Sequence, residues 1–187
     1  VVAVIGMVLT VSLFTGLYLW WPKSGGWMAA LTIKRGAHVR RMNFDVHKTA
    51  GVYFSIVLLA LFVSGVYLNL RAPFHAVVRL FSPTVDRFTI QSESPRGRPP
   101  LTLGQALDIV ISRYPEGRVE WLYPAKKPTA AYTICQREVP NVSLVLSRRC
   151  VVVDQYSGEI LHVQTPDGGT AGDYFIQWQW PVHSGQV

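Results

Sequence analysis

The chain has 187 residues, 18 Lys and Arg against 11 Asp and Glu, and a net charge of +7, yet only 16% of it is charged while 49% is apolar. Nucleic-acid binders of such basicity are rich in charge and disordered chains are poor in apolar residues, so both classes are excluded. Two cysteines are too few for a disulfide-dense mini-protein or a four-cysteine zinc site, and a mean hydropathy of +0.22 points to membrane segments joined to a modest domain.

Residues 1–21 hold no charge and predict a first transmembrane helix, since ~20 helical residues cross the ~30 Å hydrocarbon core. Tyr18, Trp20 and Trp21 close it, as aromatic rings favour the headgroup zone. A secretory signal peptide would need basic residues before the run and a small-residue cleavage site after it; here the run is followed by WWPK. Residues 49–70 predict a second such helix, again without a polar face. Between them, residues 22–48 hold six basic side chains against one acid, Asp45, and so carry most of the net charge. The positive-inside rule makes this loop cytoplasmic. The second helix then runs outward, and residues 71–187 lie largely outside, in the periplasm if the organism is Gram-negative.

Residues 71–100 read as an interfacial helix, carried by the amphipathic PFHAVVRLF, followed by a proline-rich linker. Residues 101–165 read as a compact helix-plus-sheet module. Thr102 is the expected N-cap of a helix with Leu103, Leu107, Val110 and Tyr114 on its core face. Strands are expected over residues 119–123, 131–137, 149–155 and 159–163. The fold class is therefore a membrane α-helical protein with an inserted extracytoplasmic α+β module, one helix on a small antiparallel sheet. The module has no nucleophile motif and no phosphate loop. Cys135 and Cys150 stand opposite each other if a hairpin centres near Val142, which allows a cross-strand disulfide; the alternative is two buried thiols. Asn141 to Ser143 forms a glycosylation sequon that has meaning only in a secreted eukaryotic protein. Residues 166–187, ending in WQWPVHSGQV, read as the approach to a further membrane helix. With an apolar run already under way at Val1, the chain is expected to be a piece of a longer protein.

Of five histidines, His38, His75 and His162 have no partner spacing and read as solvated or structural. His47 and His183 are different. His47 enters the second helix in FDVHKTAG, with Gly51 four residues on and so on the same face. A flat macrocycle lying across a helix needs such a smooth neighbour beside its axial histidine. His183, in WPVHSG, falls at the opposite membrane face, so the two are not expected to share one iron. The bland alternative for each is an interfacial histidine bonded to headgroups. Without C-x-x-C-H, any haem would be b-type and non-covalent.

In this order, GLYLWWPK, FDVHKTAGVYFSIVLLALFVSGVYL, VVVDQYSGEIL and WPVHSGQ resemble the PepSY-associated transmembrane family, and residues 101–162 resemble a PepSY domain through the DQYSGEI turn. That family includes iron-regulated membrane proteins and ferric-siderophore reductases. The resemblance implies haem b, two groups in a complete member, with His47 and His183 as axial ligands to the haem iron and Gly51 packing against it. The partner histidines would come from helices outside this chain. It implies electron transfer across the bilayer to a periplasmic acceptor, a ferric siderophore in iron uptake, with Trp178 and Trp180 shaping the outer landing surface. The competing reading is a non-enzymatic PepSY membrane protein that binds or regulates a periplasmic peptide or protease. Lipid is the expected partner in both, and nucleic acid in neither.

Overall fold

The computed structural model describes residues 1–23, 25–93, 95, 97–140 and 148–186. They form two compact units, Val1–Phe74 with Gln179–Gln186, and His75–Trp178.

The first unit is helical. α1 (Val2–Trp20) is apolar on every side. Its 19 residues rise ~28 Å, about the thickness of the hydrocarbon core. Its apolar side chains stay exposed, Val11 at 62% and Leu19 at 81%. Such a surface is unfavourable in water and natural in lipid. α4 (Ser55–Asn69) runs back along α1, so that Gly6 near the start of α1 meets Val66 near the end of α4. A Cβ on Gly6 would stand 3.1 Å from Val66 Cγ2. Small residues allow this approach where no hydrophobic effect drives helices together. Beyond α1, the Trp20 indole donates to the Ala30 carbonyl at 3.0 Å, and the rings of Trp20, Trp21 and Trp27 meet edge to face. This aromatic cluster ties the end of α1 to the short α2 (Trp27–Leu31).

α3 (Val39–Tyr53) is capped by His38, whose Nδ1 accepts from the Arg40 N–H at 3.4 Å. The single acid of the basic loop is buried on it. Asp45, 1% exposed, accepts from the Lys34 N–H at 3.3 Å and pairs with Arg41 at 3.2 Å and Lys48 at 3.3 Å. Lys48 also donates to the Ala29 carbonyl at 2.8 Å, which holds α2 against α3.

The run expected as a transmembrane helix over residues 49–70 is not one continuous helix. The run breaks at Phe54, and α3 and α4 meet at 64°. Phe54 leaves helical geometry (φ −92°, ψ 1°), and the Ser55 hydroxyl donates to the Val52 carbonyl at 2.7 Å, competing with the helix ladder there. Side-chain bonds of this kind are a recognised cause of kinks. Among the described residues, α1 alone is one straight helix long and apolar enough to span a membrane; α3 and α4 reach that only as a bent pair.

In the second unit, α5 (Arg71–Val78) contributes its last turn, and α6 (Leu103–Arg113) packs on a four-stranded antiparallel meander of order β1 (Arg118–Tyr123), β2 (Tyr132–Arg137), β3 (Arg148–Val153), β4 (Ile160–Gln164). Thr102 and Gln105 form a reciprocal capping box at the start of α6. Ala106 and Val110 meet Tyr132, Ile134, Val151 and Val153 to make the core. β2 is buried on both faces, because residues 82–92 cover the second: Phe88 packs on Tyr123 at 5.0 Å and Arg87 donates to Gln164 at 2.8 Å. Cys135 and Cys150 are directly paired in the β2–β3 register and joined by a disulfide. The hairpin centre at Val142 and the sequon at Asn141 lie outside the described residues. The start of α7 (Ala171–Ser184) is tied in by Asp173, which accepts from the Val85 N–H at 2.7 Å.

Candidate functional site

The break at Phe54 turns α3 out of line with α4, and an apolar pocket of about 640 Å³ opens beside α1. A cofactor-sized pocket falls in the range ~300–1,000 Å³. Leu13 and Leu17 of α1 and Leu58 and Phe62 of α4 form apolar walls, and Trp20 lies toward the end of α1. α3 contributes His47, Lys48 and Gly51. The Lys48 ammonium is already held by Asp45 and Ala29, so it lends the pocket chiefly its aliphatic stem. The Trp20 N–H is likewise engaged. Among the described residues, no hydrogen bond engages the His47 ring. Gly16 on α1 and Gly51 on α3 both line the pocket, and a Cβ built on either meets no atom within 4 Å. These two missing side chains leave a smooth, open flank.

A b-type haem needs a wide apolar slot, an imidazole with a free nitrogen, and backbone that lets the ring lie close. The pocket meets all three needs through its walls, His47, and Gly16 with Gly51. Among the described residues, no three His, Cys, Asp or Glu side chains gather to hold a bare metal ion. One histidine against a macrocycle is compatible with that.

His183 is not in this pocket. It lies on α7, where its Nδ1 is 3.1 Å from the Ser64 hydroxyl of α4. Ser64 is ten residues past the break at Phe54, or ~15 Å along the helix axis. The structure thus brings His47 and Gly51 together and keeps His183 at a separate place. Sequence reasoning missed Gly16, Ser64, Gly65 and the role of Asp45. The available signal was the Ser-Gly pair in an otherwise apolar run and the lone acid among basic residues.

Outside the membrane helices lie His75 and His162, the two histidines read as structural. His75 is 2% exposed and hydrogen-bonds Thr84 Oγ1 at 2.7 Å, with Asp86 4.0 Å from its Nε2. Burial pushes the His162 imidazole below its usual range, partly opposed by Asp173 and reinforced by Arg87. The DQYSGEI turn is a structural staple. Asp154 Oδ1 accepts from the Tyr156 and Ser157 N–H groups and Oδ2 from that of Glu93, while the Gln155 amide donates to the Lys127, Pro128 and Ala130 carbonyls. Gly158 supplies the positive φ of 75° that the turn needs.

A family model described as the PepSY-associated TM region matches residues 1–187. No curated protein matches the chain.

Proposed function

The chain belongs to the PepSY-associated TM region family, and from that premise we propose that it is a b-type haem protein of the bacterial inner membrane. It moves electrons outward to reduce a periplasmic acceptor, a ferric siderophore in iron uptake. Membership supports a membrane protein of the iron-regulated type. The observation that carries the finer reading is the apolar pocket in which His47 faces open space beside Gly51 and Gly16.

When bound, haem supplies a one-electron Fe(III)/Fe(II) couple. His47 would hold the group through a ring nitrogen in this pocket, and His183 would do so at a second place. The leucine and phenylalanine walls would exclude water and, with the histidine that holds the group, tune its potential. Asp45 pairs with both Lys48 and Arg41, one carboxylate against two cations, so a net positive charge remains there. Reduction of a ferric chelate outside would loosen the metal, since chelators that prefer Fe(III) hold Fe(II) weakly.

An absorption spectrum of the purified full-length protein, expressed with ample haem, tests the reading. A Soret band with sharp α and β bands after dithionite is expected, and His47→Ala and His183→Ala should each lower haem per protein. Absence of the Soret band would refute the haem reading and leave the peptide-binding alternative. Unchanged haem in both variants would refute the ligand assignment.

A further inference from the structure

Ser64 is fully buried in the apolar α4. A hydroxyl in such a helix must find its partners within the protein, because lipid offers none. Its proton is directed to the helix itself, to the Ala60 carbonyl at 2.6 Å and the Leu61 carbonyl at 3.1 Å. A serine hydroxyl has a single proton and two lone pairs. A hydroxyl that gives its proton to the helix accepts from its third neighbour, His183 Nδ1 at 3.1 Å. With the hydroxyl proton so placed, Nδ1 would carry the ring hydrogen and leave the lone pair on Nε2. The next residue completes the contact. A Cβ on Gly65 would lie 3.4 Å from His183 Cε1, so the ring rests directly on bare backbone. A methyl fits there at ordinary contact distance, whereas a branched side chain overlaps the ring.

We propose that Ser64 and Gly65 form a seat that fixes the tautomer and position of His183 and presents its Nε2 as a ligand nitrogen. Ser64 is a positioning residue, acting through His183. The use of that nitrogen rests on the haem reading; the tautomer rests on the hydrogen bonds alone. A donor or acceptor on the far nitrogen is the usual way a protein orients a ligating imidazole.

The tautomer is read by ¹⁵N NMR of the full-length protein in detergent, labelled at histidine and stripped of haem, with the His183 signals identified by their loss in His183→Gln. The wild type should show a protonated Nδ1 and a bare Nε2. Ser64→Ala should lose that preference and Ser64→Thr should keep it. A wild-type ring protonated at Nε2, or an unchanged spectrum in Ser64→Ala, would overturn the seat. Gly65→Ala should retain the wild-type signals and Gly65→Val should not; equal behaviour of these two would also overturn it. In the haem-loaded protein, Ser64→Ala should weaken haem retention at this place by about 10–100-fold. Retention equal to wild type would overturn the presentation of Nε2. If the protein binds no haem at all, the proposed function fails, and the tautomer measurement still decides the seat on its own.

Discussion

Gly51 acts by what it lacks. Its Cβ position meets no atom within 4 Å, and that empty space is part of the pocket beside His47. Gly51→Leu therefore adds a side chain to open volume and should leave the helices intact by circular dichroism. It should lower haem affinity by about tenfold, the effect of an overlap of ~1–3 kcal/mol. Haem retention equal to wild type would show that no ring packs there. The pairing of His47 with Gly51 was legible because four-residue spacing places them on one helical face. Ser64 was not, since a single serine in an apolar run has no pattern of its own. Its partner is 119 residues away, and only packing brings the two together. Asp45 illustrates the same limit: composition marked it as the lone acid among six basic residues, and burial against Lys34, Arg41 and Lys48 made it the hub of the loop.

At the scale of elements, the break between α3 and α4 matters most. Hydropathy read residues 49–70 as one span because Phe54 and Ser55 are compatible with a helix. The kink arises from a local contest for the Val52 carbonyl, which average hydropathy does not register. The α6 cap and the four strands were visible from Thr102 and from β-branched alternation, with ends shifted by one or two residues. The DQYSGEI turn offers a test of the second unit. Burial pushes the Asp154 carboxyl up, but the N–H groups of Ser157, Tyr156 and Glu93 together hold it below the usual carboxylate range. A carboxylate with a lowered folded pKa stabilises the fold above the unfolded value of ~3.9, and that contribution is lost as pH falls through the folded value. His162, also lowered, acts earlier: its contribution is complete above the unfolded value of ~6.5 and declines as pH drops below it. Unfolding of the second unit should therefore become easier in two stages on acidification. Asp154→Asn, which turns an amide toward backbone donors, should cost about 1–3 kcal/mol in denaturant unfolding at pH 7. It should also remove the lower stage of the pH dependence, and an unaltered acid limb would refute Asp154 as its source.

For the whole molecule, net charge reports orientation. Five of the seven net positive charges fall in residues 22–48. A reporter fused after Lys34 should accordingly read as cytoplasmic, and one fused after Pro166 as external. A reporter at Lys34 that reads as external would invert the topology and the direction of the proposed electron path. The disulfide between Cys135 and Cys150 agrees with an oxidising compartment for the second unit.

The sequence by itself determined that the chain enters a membrane, which loop carries the positive charge, and that a capped helix and four strands form a separate module. Those properties depend on local composition and on periods of two and 3.6 residues, which are readable along the chain. Only the tertiary structure decided that the second span is bent, that a pocket opens beside His47, and that His183 rests on Ser64 and Gly65. Each of these depends on which distant atoms meet: a hydroxyl at one carbonyl, two glycines facing the same space, a ring on a bare helix surface. Such encounters have no period, and the packing of α1, α3, α4 and α7 is what creates them.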